Sequence, residues 1–391
     1  MIKYYFICVL SFFLFFNLAL AKNININNHK KIKKGVLDLR SVDFSKTPIV
    51  TLNGNWEFYW KKFYTSKDFL GKKIKPDTYI PVPSKWNKYT FNNKKFPRFG
   101  YATYRIKIII PAKLKNQLLG IKIYDISSAY RLFINGKLKS SNGKISKSKK
   151  EAIPQFLTQI TPVILTNKND KKEIILECIL HVSNYHNYTS GIWNKIEIGK
   201  FNTLQRERIL TIIIAFIIGG SIFIMGLYHF SIFLLRRKEL SNLFFVFLTF
   251  LMTLRITLVE ERILIFWFPD FDWHLFRKLE FFTAYFTSTL IALFIYHLYS
   301  EDWFKKAFQF IIVSGSIIGG IILFFPILTV IQLKLLYDIH ILIAGTLLLI
   351  SLFILSVKYK ISGMNIAFAG MSFLYLTGIN DILHHMEIIN T

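Results

Sequence analysis

The stretch 204–242, LQRERILTIIIAFIIGGSIFIMGLYHFSIFLLRRKELSN, divides the chain. It opens on charge, runs from 209 to 235 without an Asp, Glu, Lys or Arg, and closes on RRK. At about 1.5 Å per residue such a run exceeds the ~30 Å hydrocarbon thickness of a bilayer, so it reads as a membrane-spanning helix. Comparable apolar runs follow at 243–259, 279–299, 307–326, 335–357 and 364–383, and the reading expects six spans.

Charge fixes the expected orientation. The connections RRKELSN, SEDWFKK and KYKISG hold most of the basic residues after 208, whereas EERILIFWFPDFDW at 260–273 is acidic. Short basic loops stay in the cytoplasm, which places the part before 209 outside and, after an even number of spans, Thr391 outside as well.

Upstream of 204 the composition changes. Residues 22–208 carry 37 Lys and Arg against 12 Asp and Glu, so nearly all of the net charge of +27 belongs to this half. MIKYYFICVLSFFLFFNLALA, 1–21, has the lysine, apolar run and small-residue end of a secretory signal peptide, with Lys22 expected as the first mature residue and 22–35 as a basic extension. Cys8 would leave with it. Cys178 would then stand alone, without an internal disulfide, in the alternating run EIILECILHV.

Between 36 and 201 short alternating runs rich in Thr, Val, Ile and Tyr are separated by turn residues: PIVTLNGNWEFYW, GYATYRIKIIIP, LLGIKIYDI, AYRLFINGKLKSS, KEIILECILHVSN and WNKIEIGK. That pattern predicts an all-β sandwich ahead of a helical membrane bundle at 206–391. Asn135-Gly136 reads as a tight hairpin turn, and Asn53-Gly54 as a second one. The basicity could draw the domain to anionic lipid or polysaccharide, although Lys and Asn are abundant throughout. A secreted location excludes nucleic acid as a partner.

LNGNWEFYW, PVPSKW, YATYRIKIIIP, YRLFINGK and NKIEIG resemble the non-catalytic jelly-roll, sugar-binding domain of family 2 glycoside hydrolases. Through YHFSIFLLRRKELSNLFFVFLTFLMTLR, FPDFDWHLFRKLEFF and the terminal NDIL, the chain resembles the bacterial seven-transmembrane receptors with diverse intracellular signalling modules. That resemblance implies a multi-pass protein of the bacterial cytoplasmic membrane, with a periplasmic jelly roll that senses a small ligand or saccharide. It also implies a cytoplasmic effector such as a cyclase, histidine kinase, GGDEF or phosphatase domain. The seventh helix and the effector are expected outside these 391 residues. Membrane lipid is an expected partner, a homodimer is compatible with the reading, and no enzyme activity or cofactor is expected.

Two loops carry the candidate ligand residues. DISSAYR supplies Asp125, Tyr130 and Arg131, and SNYHNYTSGIW supplies Tyr185, His186 and Trp193, a mixture suited to stacking on a sugar while neighbours bind its hydroxyls. The competing reading makes Tyr130 and Trp193 core aromatics and His186 an ordinary loop histidine. Within the spans, Arg255, Glu280, Asp338 and Asp381 are costly enough to be weighed as a set. All fall toward the outer face, where Arg255 and Glu280 are expected to pair as a structural clamp or a switchable coupling cluster. Asp381, His384 and His385 share a helix face, but three ligands from one helix end are a weak metal signal and no metal site is expected.

Two rival functions remain at this stage. A tethered glycosidase needs two carboxylates flanking the scissile bond, and the few acids of the β-region suggest no such pair. A transporter would show broken helices and polar residues at the bilayer midplane, which the sequence does not display.

Overall fold

The computed structural model describes residues 32–71, 74–165, 173–299, 305–358 and 363–385. The expected signal peptide and most of the basic extension lie outside the described residues, as does Thr391. The fold comprises two compact units. One contains Ile26–Ile213 together with Glu260–Trp273, and the other Ile214–Val259 with His274–Thr391.

The first unit is a β-sandwich. Strands β1 (Val36–Asp38), β3 (Gly54–Trp60), β4 (Thr78–Val82), β7 (Gly100–Pro111), β9 (Ala129–Ile134), β10 (Lys137–Asn142) and β12 (Glu173–Asn184) build one sheet in the order β10-β9-β12-β7-β3-β4, with β1 parallel to β7. The facing sheet has the order β11-β8-β13-β2, from Gln159–Ile164, Leu118–Ile123, Ile196–Lys200 and Ile49–Thr51. Alternation in GYATYRIKIIIP explains the first sheet: Tyr104, Ile106, Ile108 and Ile110 point inward, opposite Leu180, Cys178, Leu176 and Ile174 of β12. Ile121, Ile123, Ile196 and Ile198 of the second sheet help to close the core. Burial pushes the Cys178 thiol up to about 12, as expected of a packing residue.

On the other face of β7, Arg105 joins neighbouring strands. Its guanidinium meets Glu57 at 3.0 Å and Glu177 at 2.6 Å and lies over the Phe69 ring. Asn135 and Gly136 both adopt positive φ, 48° and 77°, and close the predicted two-residue hairpin between β9 and β10. Asn53-Gly54 is different. It carries the chain from β2 in one sheet to β3 in the other, and Gly54 (φ 129°) is required because a Cβ there would lie 2.6 Å from the Ile32 nitrogen. A dipeptide that suits a hairpin turn also suits a sheet crossing.

Helix α1, Phe201–Leu235, begins directly after β13, eight residues before the predicted 209. Leu204 is buried and Arg208 has a partner within the first unit, so tertiary packing extends the helix past its apolar run. The remaining helices are α2 (Leu240–Leu258), α3 (Ile263–Trp267), α4 (Trp273–Tyr285), α5 (Thr287–Leu298), α6 (Lys305–Phe324), α7 (Ile327–Gln332), α8 (Lys334–Val357) and α9 (Met364–His385).

Among the described residues five helical stretches are long and apolar enough to cross a membrane: α1, α2, Trp273–Leu298, α6 and α8. Helix α9 lies on the sixth expected span. Phe245, Phe294, Phe308, Ile311, Ala344, Leu348 and Ala367 form the core of the helical unit. GSIIG acts there as a close-approach surface. A Cβ on Gly315 would strike the Thr289 hydroxyl, and one on Gly319 would lie 3.0 Å from the Phe286 ring.

Candidate functional site

The segment Glu260–Trp273, which follows α2 and leads into α4, folds as part of the β-sandwich unit. Glu260 and Arg262 take left-handed backbone, φ 55° and 51°, a conformation that costs roughly 1 kcal/mol or more per non-glycine residue. What surrounds Glu261 and Arg262 offsets that cost. The Glu261 carboxylate accepts a hydrogen bond from Lys122 Nζ at 2.6 Å and pairs with Arg208 Nε at 3.2 Å. Arg262 donates to Asp125 Oδ2 at 2.8 Å, while Asn194 Nδ2 donates to the other Asp125 oxygen at 3.0 Å.

Apolar and aromatic groups finish the seat. Phe156 lies under the Arg262 guanidinium, 4.7 Å to its centroid, and meets Trp273 edge-on at 5.4 Å. Trp273 in turn stands edge-on to His186 at 6.4 Å. Arg208 lies over Phe266, Ile265 is fully buried, and Gln155 Nε2 donates to the Pro269 carbonyl at 2.5 Å. Beside Lys122, the Tyr124 hydroxyl donates to Glu197, which also pairs with Lys195. Burial first, then the Glu197 charge, raises the Tyr124 phenol far above its ordinary range, so it stays a donor.

Ions removed from water are destabilising unless each is paired and hydrogen-bonded, and breaking one such pair typically costs about 3 to 5 kcal/mol. Two buried pairs therefore make this segment an integral part of the sandwich. Chemically, the site is a receptacle for a guanidinium and a carboxylate, filled by the chain's own Arg262 and Glu261.

The six candidate ligand residues fall in different places. Asp125 and His186 both lie on the seat, through Arg262 and Trp273. Tyr130 is inside the core with its hydroxyl donating to Gln159, and Arg131 is exposed on the opposite face of β9. Tyr185 donates to the Lys147 carbonyl at 2.6 Å, and the half-buried Trp193 has an indole N–H without a partner among the described residues.

In the helical unit, Arg255 donates to the Glu280 backbone carbonyl at 3.4 Å, and the Glu280 carboxylate contacts Arg277. Asp338 accepts from the Tyr285 hydroxyl at 2.7 Å, with Lys334 at 4.0 Å. The Asp381, His384 and His385 side chains lie outside the described residues.

Sequence reasoning missed Lys122, Phe156, Arg208, Glu261, Arg262 and Trp273. One signal was available: 260–273 carries five aromatics and five charges, more than a plain connection between spans needs.

A β-sandwich joined to a bundle of apolar helices defines a multi-pass membrane protein with a folded β-domain. Residues 211–391 match the family described as 7TM diverse intracellular signalling. Among curated proteins none matches. Among solved structures the β-domain is similar to Ruminococcus gnavus β-glucuronidase, at 15% identity and a TM-score of 0.30, over 38% of this chain and 27% of that one. The complex of that organism's β-glucuronidase with N1-substituted uronic isofagomine gives 14%, 0.29, 38% and 29%. The chain thus spans less than a third of the length of these enzymes.

Proposed function

We propose that the protein is a sensory receptor of the bacterial cytoplasmic membrane. Its β-domain lies in the periplasm, after removal of the signal peptide, and binds a small ligand, a saccharide being the chemistry its aromatic loops suit. The helical region passes a rearrangement to a cytoplasmic effector beyond these residues, without catalysis by this chain.

The observation that carries this reading is the seat of Glu260–Trp273. The segment is covalently continuous with α2 and α4, yet it is held in the β-domain by the Lys122–Glu261 and Asp125–Arg262 pairs. Asp125 and His186 border it, so a ligand that competes for either would change how the segment is held. A contact that ligand binding can weaken is what a two-state receptor requires.

The test joins the chain, through one further apolar helix that returns it to the cytoplasm, to a histidine kinase reporter. Asp125→Ala and Arg262→Ala should shift basal output in the same direction at equal membrane abundance, and the exchange Asp125→Arg with Arg262→Asp should move it back. Unchanged output from well-expressed single variants would overturn the reading, and saturable turnover of chromogenic glycosides would favour the tethered enzyme.

A further inference from the structure

The helical unit gathers polar side chains where three of its helices meet. Tyr285 ends α4, Phe286 interrupts the span, and Thr289 lies in the first turn of α5. Tyr337 and His340 stand three apart on α8 and so share a face, and the Tyr285 and Tyr337 rings meet at 5.3 Å. Helix α6 brings Ser314 and the bare backbone of Gly315 against the same place.

Thr289 and His340 are 0% and 7% exposed, yet neither Thr289 Oγ1 nor His340 Nε2 has a hydrogen-bond partner among the described residues. Both atoms border one point beside Gly315: a Cβ on that glycine would strike Thr289 Oγ1 and lie 3.4 Å from His340 Nε2. The other ring nitrogen sets the roles of the imidazole. Ser314 Oγ donates its proton to the Phe310 carbonyl at 2.6 Å, so toward His340 Nδ1, at 3.3 Å, it accepts. With Nδ1 as the donor, the neutral ring carries on Nε2 a lone pair in need of a donor. The Tyr337 hydroxyl, buried one turn earlier on α8, is likewise without a partner among the described residues.

We propose that Thr289, His340 and the Gly315 backbone form a binding site for an ordered water molecule inside the helical bundle. The water donates to His340 Nε2 and shares a second hydrogen bond with the Thr289 hydroxyl, joining α5 to α8 beside α6. Buried polar atoms left unpaired are destabilising, and a bridging water is the usual way in which interiors satisfy them. Glycine at 315 keeps the space clear of a side chain. Among the described residues no group of three His, Cys, Asp or Glu side chains is placed to hold a metal ion, so a neutral molecule that both donates and accepts is what these two atoms fit. The site lies wholly within the helical unit and does not rest on the receptor reading.

The experiment uses the full chain in detergent micelles and compares Thr289→Ser with Thr289→Ala, which differ by the hydroxyl alone and put nothing larger than threonine against Gly315. Alanine is the better helix former, so a hydroxyl with no partner would let Thr289→Ala melt at or above the temperature of Thr289→Ser. With the water bound, Thr289→Ser should melt higher, and the difference should vanish in a His340→Leu background, where the water has lost its acceptor. Radiolytic hydroxyl labelling read by mass spectrometry detects the water itself, because radicals made from bound water oxidise the side chain beside it. His340 should be oxidised in the unaltered chain and in Thr289→Ser, and that oxidation should be lost in Thr289→Ala. If His340→Leu does not fold, the labelling decides alone. Thr289→Ala melting at or above Thr289→Ser, or His340 oxidation unchanged by loss of the hydroxyl, would overturn the proposal.

Discussion

Glu261 and Lys122, 139 positions apart in the chain, meet at 2.6 Å with side chains only 4% and 6% exposed. Arg208 approaches the same carboxylate, so one acid stands between two cations. Removing Lys122 leaves Glu261 a partner, whereas removing the Glu261 charge takes the shared carboxylate from both Lys122 and Arg208. Glu261→Gln should therefore lower the melting temperature more than Lys122→Met, with a loss at or above the roughly 3 to 5 kcal/mol typical of a broken buried pair. Thermal unfolding in detergent orders the two variants; the reverse order would mean that Arg208 contributes nothing.

Phe156 links Arg262 to Trp273, so truncating it should loosen the whole segment. Phe156→Ala is expected to cost about 3 to 5 kcal/mol and to speed proteolytic cleavage within 260–273 more than within the strands. Limited proteolysis with fragment mapping checks this. A stability loss with an unchanged cleavage pattern would confine Phe156 to ordinary packing.

His181 gives the β-domain a predictable pH response. It packs between Phe63 and Phe133 and bonds the Tyr64 carbonyl through Nε2 at 2.7 Å. Burial above all, with Arg131 adding to it, lowers its pKa from the ordinary 6.5. The unfolded chain thus binds the proton more readily, so the stabilisation is complete above about pH 6.5 and is lost as pH falls below it toward the folded value. The drop in melting temperature between pH 7.5 and pH 5 should be smaller in His181→Gln, and an identical drop would assign the response to other groups.

The hairpin turn supplies a backbone test. Gly136 has φ 77°, so Gly136→Ala forces a side chain into left-handed backbone and should destabilise by about 1 kcal/mol. Asn135→Gly at the neighbouring positive φ should be close to neutral. Thermal unfolding of the full chain in detergent, followed by the β-type far-UV signal, reads both variants.

Topology follows from the loop charges. Alkaline phosphatase fused after Asp270 should be active and after Arg237 inactive, because RRK retains its loop in the cytoplasm. Activity at both positions would refute the orientation from which the periplasmic β-domain is argued.

The fold classes were legible because their signals are local. Alternation in GYATYRIKIIIP marks a strand within a dozen residues, and the uncharged run 209–235 marks a helix too apolar for water. Each pattern reports the medium its own residues face. Boundaries were less legible: α1 starts at Phe201 because Leu204 and Arg208 find partners far away in sequence. The seat of Glu260–Trp273 was not legible at all. Asp125 was singled out as a polar loop residue, yet its partner, Arg262, sits in a connection between two apolar helices, and no periodicity links them. Local sequence determined strands, helices and one hairpin turn through backbone preference and burial. Which buried charges neutralise which depends on chain segments brought together only after those elements pack, and that the tertiary structure alone decided.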